Sequence, residues 1–146
     1  RHLRRHGHPV TPCRTHIEGM KLHVQAADAV LYPDVFVTCD PQDLTEQAEL
    51  AKTAPKLIVE VLSGSTAAYD RGLKFELYQR LPSLQEYLLI EQDRVHADLF
   101  RRNAEGLWVL HPSGPGEAVQ LDSVGLTLPM DLIYEDTAAG SAAAGA

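Results

Sequence analysis

The sequence predicts one domain of the α/β or α+β class, built around a β-sheet. Residues 56–63 form an apolar, β-branched run that is typical of a buried central strand. A helical pattern follows at once, capped by Ser65 or Thr66 and closed by Pro82. Shorter strand-like segments precede this strand and follow this helix in the sequence. This order favours a mixed sheet flanked by helices over an all-β sandwich.

The remaining elements are predicted from local patterns. Residues 1–6 have the pattern of a helix end that Gly7 and Pro9 stop. A meander should follow the central helix, and a helical turn should close the fold. In chain order, we predict strands at 14–25 (kinked near Gly19) and 34–39, and a polar loop at 41–53, alone or with a helical turn in it. Strands follow at 87–91, 96–101, 107–110, 119–121 and 126–128, and a helical turn at 130–134.

The composition is that of an ordinary globular domain. A chain of 146 residues buries roughly two-thirds of its unfolded surface and needs no metal or disulfide to fold. We expect this domain to span residues 1–136, with a flexible tail over 137–146, which is nearly all Ala, Gly and Ser. No stretch approaches the roughly 18 consecutive apolar residues of a membrane helix, so we expect no membrane partner. Two cysteines cannot make a disulfide framework, so we expect a protein of the reducing cytoplasm. We expect Cys13 and Cys39 to be free, and near one another on adjacent strands.

The net charge of −7 is unevenly distributed. Residues 1–25 carry +4, whereas the rest of the chain carries −11. A basic end on an acidic body is compatible with a phosphate-facing segment, and equally with an ordinary solvated surface. Any contact with DNA should therefore be local and weak.

Glu60 is the most informative residue, because it lies inside the apolar run. Side chains alternate along a strand, so Glu60 shares a face with Ile58 and Leu62. An ionised carboxylate buried there costs several kcal/mol unless a cation meets it. The pattern indicates either a metal ligand or catalytic acid, or a glutamate salt-bridged at the strand's open end.

Two further residues extend this pattern. Asp34 follows Pro33, which fixes the entry into the next strand, although an aspartate after proline is also common in turns. Lys74 lies at the margin of the apolar helix face, where it can point back at the strand or simply pair with Asp70 at i,i+4. Two carboxylates and a lysine are the parts of a metal-dependent phosphodiesterase.

At this point the sequence resembles the PD-(D/E)XK restriction-endonuclease-like superfamily, and within it the Uma-two family of bacterial proteins. The likeness covers about residues 9–136 and is carried by several motifs in the right order. These are Tyr32-Pro33-Asp34-Val35-Phe36-Val37-Thr38-Cys39-Asp40, Ala54-Pro55-Lys56-Leu57-Ile58-Val59-Glu60-Val61-Leu62-Ser63, Ser65-Thr66, Asp70-Arg71-Gly72, Lys74-Phe75, Tyr78 and Gln85-Glu86-Tyr87.

The resemblance implies a restriction-endonuclease-like core and a set of site residues. Asp34, Glu60 and the carbonyl of Val61 would bind Mg²⁺ or Mn²⁺. Leu62 stands where the superfamily's lysine usually lies, so Lys74 from the following helix would position the attacking hydroxide. Tyr78 would make a secondary contact to the site.

We therefore expect a metal-dependent endonuclease that hydrolyses DNA phosphodiesters. The alternative is a catalytically silent nucleic-acid-binding or interaction module with the same fold. Family members usually begin with a longer N-terminal region, and a sheet face left uncovered by a shortened first helix would favour a homodimer.

Overall fold

The computed structural model describes residues 13–45 and 51–145. The predicted helix end at 1–6 lies outside the described residues. Ten strands and four α-helices are assigned within the described ranges. They are β1 (Arg14–Ile17), β2 (Leu22–Val24), β3 (Ala29–Leu31), β4 (Val35–Thr38), β5 (Pro55–Leu62), α1 (Ala67–Arg71), α2 (Leu73–Tyr78), β6 (Glu86–Glu91), β7 (Ala97–Arg102), β8 (Trp108–Ser113), β9 (Ala118–Leu121), β10 (Leu126–Pro129), α3 (Met130–Ile133) and α4 (Ala138–Ala144).

A six-stranded mixed sheet forms the centre of the fold, in the order β1-β4-β5-β6-β7-β8. Only the β5–β6 pair among these is parallel; the other neighbours run antiparallel. The helical segment α1–α2 is the crossover that a parallel pair requires. Strands β6, β7 and β8 form the predicted meander, and β9–β10 forms a separate hairpin after it. The predicted α+β class with a mixed sheet is confirmed.

Each face of the sheet has its own core. On the face that α1 and α2 cover, the largest buried side chains are aromatic and aliphatic, among them Phe36, Ile58, Tyr78 and Tyr87. The opposite face packs against β9, α3 and α4. Because β5 lies in the middle and is covered on both sides, its apolar run is nearly continuous.

Glycine residues divide two elements that the sequence predicts as one kinked strand and one helix. The strand predicted at 14–25 is broken at Gly19, whose φ of +87° sends β2 out of the main sheet to pair with β3. The helix predicted over 66–81 is interrupted at Gly72, where the backbone leaves the helical region with φ −100° and ψ −99°. The kink predicted near Gly19 is thus a full break, whereas the helical pattern continues through Gly72 and does not reveal the interruption there.

The cysteine prediction is partly wrong. Cys13 and Cys39 form a disulfide, with their Cα atoms 4.0 Å apart. They stand one residue beyond the paired Arg14 and Thr38, at the ends of the adjacent strands β1 and β4, so their proximity is as predicted. A free state was expected because two isolated cysteines in a sequence do not indicate their pairing.

The C-terminal segment also differs from the flexible tail that its composition predicts. Residues Ala138–Ala144 form α4, which Thr137 caps by accepting a hydrogen bond from the Gly140 amide. Ala139 is buried in the second core. Alanine has the highest helix propensity, and a single methyl group suffices for this close contact. None of the helices in the described ranges is long and apolar enough to cross a membrane.

Candidate functional site

Asp34 and Glu60 meet where β4 and β5 pair. Val35 lies opposite Val59 in this antiparallel ladder, which places Asp34 beside Glu60. The Asp34 amide donates a hydrogen bond of 2.9 Å to Glu60 Oε1, and the Val61 amide donates one of 2.7 Å to Asp34 Oδ2. The two carboxylates are therefore held in place by reciprocal main-chain hydrogen bonds.

Glu60 is one of the most deeply buried charged residues, with only 1% of its surface exposed. It shares its face of β5 with buried Ile58 and Leu62, as the alternation predicts. Burial raises the pKa of the Glu60 carboxyl above its ordinary value, although hydrogen bonds from Lys74 and the Asp34 amide oppose this shift. A cation bound beside Glu60 would therefore strongly favour the ionised form of its carboxyl group.

Lys74 reaches Glu60 from α2. Its ammonium group contacts Glu60 Oε2 and lies 3.3 Å from Asp70 Oδ1, and the side chain is only 13% exposed. Burial alone would lower the pKa of Lys74, but Glu60 and Asp70 together raise it above its ordinary value. Lys74 therefore pairs with Asp70 and also points back at the strand, so the two alternatives considered from the sequence coexist.

Two tyrosines complete the buried part of the site. Tyr78, fully buried, donates a 3.0 Å hydrogen bond to Glu60 Oε2. Tyr87 donates a 3.0 Å hydrogen bond to the Asp70 carbonyl, which fixes α1 over β6. Burial, followed by the Glu60 charge, raises the pKa of both phenols far above their ordinary value, so both remain protonated donors.

The structure thus brings together every residue that the sequence singled out. Asp34, Glu60, Lys74 and Tyr78 are linked by direct contacts. Val61 joins them through its amide, which binds Asp34, whereas the resemblance implied its carbonyl as a metal ligand. Their catalytic and metal-binding roles remain predictions.

A second buried carboxylate on the same sheet face is missed by the sequence analysis. Leu89 lies opposite Glu60 on one side and Asp98 on the other, so the two acids occupy one row across the sheet. Asp98 accepts hydrogen bonds from Arg71 of α1 at 2.6 Å and from His96 at 2.9 Å. Burial raises the pKa of Asp98, but these two partners outweigh it and the net shift is downward. The sequence does contain a signal for Asp98, because it is an acid among apolar residues of a strand, which is the pattern that identified Glu60.

Asp34 and Glu60 are the residues of this site that could hold a cation. Within 13–45 and 51–145, no three His, Cys, Asp or Glu side chains converge as a ready metal-ligand group. Mg²⁺ is commonly bound through only one or two carboxylates, with waters and substrate phosphates as its other ligands. Asp34 and Glu60 meet that requirement.

Comparisons with known proteins agree with this architecture. The family model Uma2, described as "Putative restriction endonuclease", matches residues 1–131. A crystal structure described as a putative nuclease belonging to DUF820, from Anabaena variabilis ATCC 29413, superposes with a TM-score of 0.63 at 19% identity, over 84% of this chain and 68% of that chain. At this identity the likeness establishes the fold.

Two relatives from Synechocystis sp. (strain ATCC 27184 / PCC 6803 / Kazusa) are similar in sequence. "Uncharacterized protein slr1290" is 40% identical over 126 residues, which cover 86% of this chain and 65% of that protein. "Uncharacterized protein sll1609" is 36% identical over 94 residues, covering 64% of this chain and 53% of that protein. The chain therefore spans between about half and two-thirds of the relatives' lengths. Since the family model covers nearly the whole chain, the protein belongs to the Uma2 family.

Proposed function

We propose that the protein is a divalent-metal-dependent endonuclease that hydrolyses DNA phosphodiester bonds. The observation that carries this proposal is that Asp34 and Glu60 lie side by side, with the Asp34 amide donating a hydrogen bond to Glu60 and Lys74 in contact with Glu60. The description of the Uma2 family and that of the Anabaena protein support a nuclease activity in general.

In this proposal Asp34 and Glu60 hold Mg²⁺ or Mn²⁺, with the Val61 carbonyl as a further ligand. The ion would supply Lewis-acid stabilisation of the charge that develops on the phosphate oxygens. The protein's part is to keep both carboxylates aligned. The amides of Asp34 and Val61 do this, because the first donates a hydrogen bond to Glu60 and the second donates one to Asp34.

Lys74 orients the water that attacks the phosphorus and offsets negative charge in the transition state. Its raised pKa keeps the ammonium protonated at neutral pH, so it acts as a hydrogen-bond donor and a charge. Asp70 provides a second carboxylate for the same ammonium, which can share its donors between protein and substrate. Tyr78 fixes the orientation of the Glu60 carboxylate by donating a hydrogen bond to Oε2.

The proposed substrate contact is local, since the chain as a whole carries a net charge of −7. The bacterial cytoplasm is the proposed compartment, where the protein would meet DNA. A homodimer is the proposed assembly. Val109 and Leu110 on the edge strand β8 support it, because they leave 41% and 48% of their surfaces exposed.

A thermal-shift experiment tests the metal site. Millimolar Mn²⁺ should raise the Tm of the wild type, because a ligand that binds only the folded state stabilises it. Glu60→Gln should abolish the rise, whereas Glu76→Gln, which removes an exposed acid from α2, should preserve it. An equal rise in all three proteins would contradict the assignment.

A cleavage assay tests the activity and the role of Lys74. Supercoiled, linear duplex and single-stranded DNA should be cut in the presence of Mn²⁺ and left intact in EDTA. Lys74→Ala, assayed while folded and at saturating Mn²⁺, should lower the rate by about 10²-fold with nearly unchanged metal affinity. DNA binding without cleavage of any form would instead support the silent binding module.

A further inference from the structure

A cavity of about 440 Å³ lies beside the candidate site, on the same side of the sheet. Arg14 and His16 of β1 line it, together with Lys52 and Asp43. His16 stands opposite Phe36 in the β1–β4 ladder, and their rings lie 5.0 Å apart. Phe36 in turn faces Ile58, which precedes Glu60 on the same face of β5. The cavity and the Asp34–Glu60 pair are therefore neighbours.

Lys52 is a buried cation with few partners. Only 5% of its surface is exposed, and its ammonium donates a 2.7 Å hydrogen bond to the main-chain carbonyl of Asp43. Among the residues that the structure describes, no carboxylate forms an ion pair with it, and this carbonyl is the single acceptor that it binds. A buried ammonium normally has an anion and several acceptors around it.

The nearby carboxylate of Asp43 is engaged elsewhere. Its Oδ2 accepts hydrogen bonds from the Thr38 hydroxyl at 2.7 Å and the Ala54 amide at 2.8 Å, and its Oδ1 accepts one from the Thr53 amide at 2.9 Å. Asp43 therefore joins Thr38 of β4 to Thr53 and Ala54, the two residues before β5. Arg14 and Lys52 outnumber Asp43, so the lining of the cavity carries a net positive charge.

His16 also presents an unused polar atom. Its Nε2 is buried and has no hydrogen-bond partner in the described parts of the chain. Burial, followed by the charges of Lys52 and Arg14, lowers the pKa of His16. The imidazole is thus neutral at neutral pH, and an anion nearby would reverse that shift.

We propose that this cavity binds a phosphate group of the DNA backbone, next to the phosphate that is cleaved at Asp34 and Glu60. A phosphate supplies acceptor oxygens that Lys52, Arg14 and His16 lack among the described residues, and a guanidinium suits such an anion well. His16 lies one strand across from Phe36, which is two residues beyond Asp34. By strand geometry this places the Cα atoms of Asp34 and His16 roughly 8 Å apart. A single DNA strand can contact both positions. This inference rests on the proposed function.

Binding measured in EDTA tests the cavity separately from catalysis. Arg14→Gln removes one phosphate contact, so the slope of log K against log [KCl] for a short oligonucleotide should decrease in magnitude by about one. Affinity at about 0.1 M salt should fall by about tenfold. Arg80→Gln removes the same charge at an exposed position beyond α2 and should leave the slope unchanged. Equal behaviour of the two variants would overturn the proposal.

A second measurement needs no charge removal. The ring-proton NMR signal of His16, assigned with His16→Gln, should shift when DNA is added in EDTA, and the same shift should occur in Glu60→Gln. A signal that moves with inorganic phosphate but not with DNA would overturn the assignment to the DNA backbone, as would one that moves with neither. Binding at the cavity without cleavage in Mn²⁺ would reject the nuclease proposal while retaining this site.

Discussion

Replacing Lys74 with methionine tests the central ion pair of the fold. The substitution keeps an unbranched side chain of similar length and removes the ammonium group. Lys74 touches Glu60 and lies 3.3 Å from Asp70, and both acids are at least 95% buried as residues. The variant therefore leaves two buried carboxylates without their shared cation.

The expected cost follows from this burial. An exposed i,i+4 pair contributes a few tenths of a kcal/mol, but removing one partner of a buried pair costs about 3–5 kcal/mol. With Lys74 only 13% exposed, the second figure applies. For a chain of this size, that loss corresponds to a decrease in Tm of about 6–20 °C.

The cost should also depend on pH. Without Lys74, burial raises the pKa of Glu60 further, so the folded state holds a proton that the unfolded state has released. The free energy of unfolding then falls by about 1.4 kcal/mol per pH unit, from the ordinary glutamate pKa up to the raised one. Urea denaturation of Lys74→Met should therefore show a small loss near pH 4 and the full loss at pH 8.

Two controls distinguish this explanation from a general effect of the substitution. Lys21→Met, at an exposed position, should change stability by less than about 0.5 kcal/mol. The double variant Lys74→Met/Glu60→Gln should regain much of the loss, because the uncompensated charge on Glu60 is gone. A loss below about 1 kcal/mol at both pH values would refute the reasoning.

Four further outcomes are expected. Tyr78→Phe should cost about 1–3 kcal/mol in urea denaturation, because it removes a hydrogen bond to a charged group. Asp98→Asn should lower the free energy of unfolding by a similar amount at neutral pH. Because the folded pKa of Asp98 is lowered, its stabilising contribution is present above the ordinary pKa of 3.8 and is lost as the pH falls through the lower folded pKa. The stabilities of the two proteins should therefore converge in acid. Reduction of the Cys13–Cys39 bridge should lower stability by about 2–4 kcal/mol, measured against Cys13→Ser. Light scattering should show a dimer, and a monomer at all accessible concentrations would contradict the proposed homodimer.

Local sequence patterns determined the order of the elements around the site and most of the candidate site residues. The apolar run of β5, the proline before Asp34 and the cap after β5 predict the strand–helix–strand order around the site. Glu60 could be singled out because one acid in an apolar strand requires a partner. The four-residue spacing of Asp70, Lys74 and Tyr78 places those groups on one helix stripe, and the structure retains their contacts across the Gly72 break.

Tertiary structure decided the features that depend on residues distant in sequence. Only the β4–β5 register sets Asp34 against Glu60, and only the order of the strands aligns Asp98 in the same row. The helix breaks at Gly72 although its pattern continues through that residue, and at Gly19 the predicted kink becomes a change of sheet. Lys52 lies beside Arg14 and His16 because its main chain exchanges hydrogen bonds with Lys21 and His23, a pairing that no periodicity encodes. Pairing between distant segments is set by the sum of many weak contacts, and it therefore appears only in the folded chain.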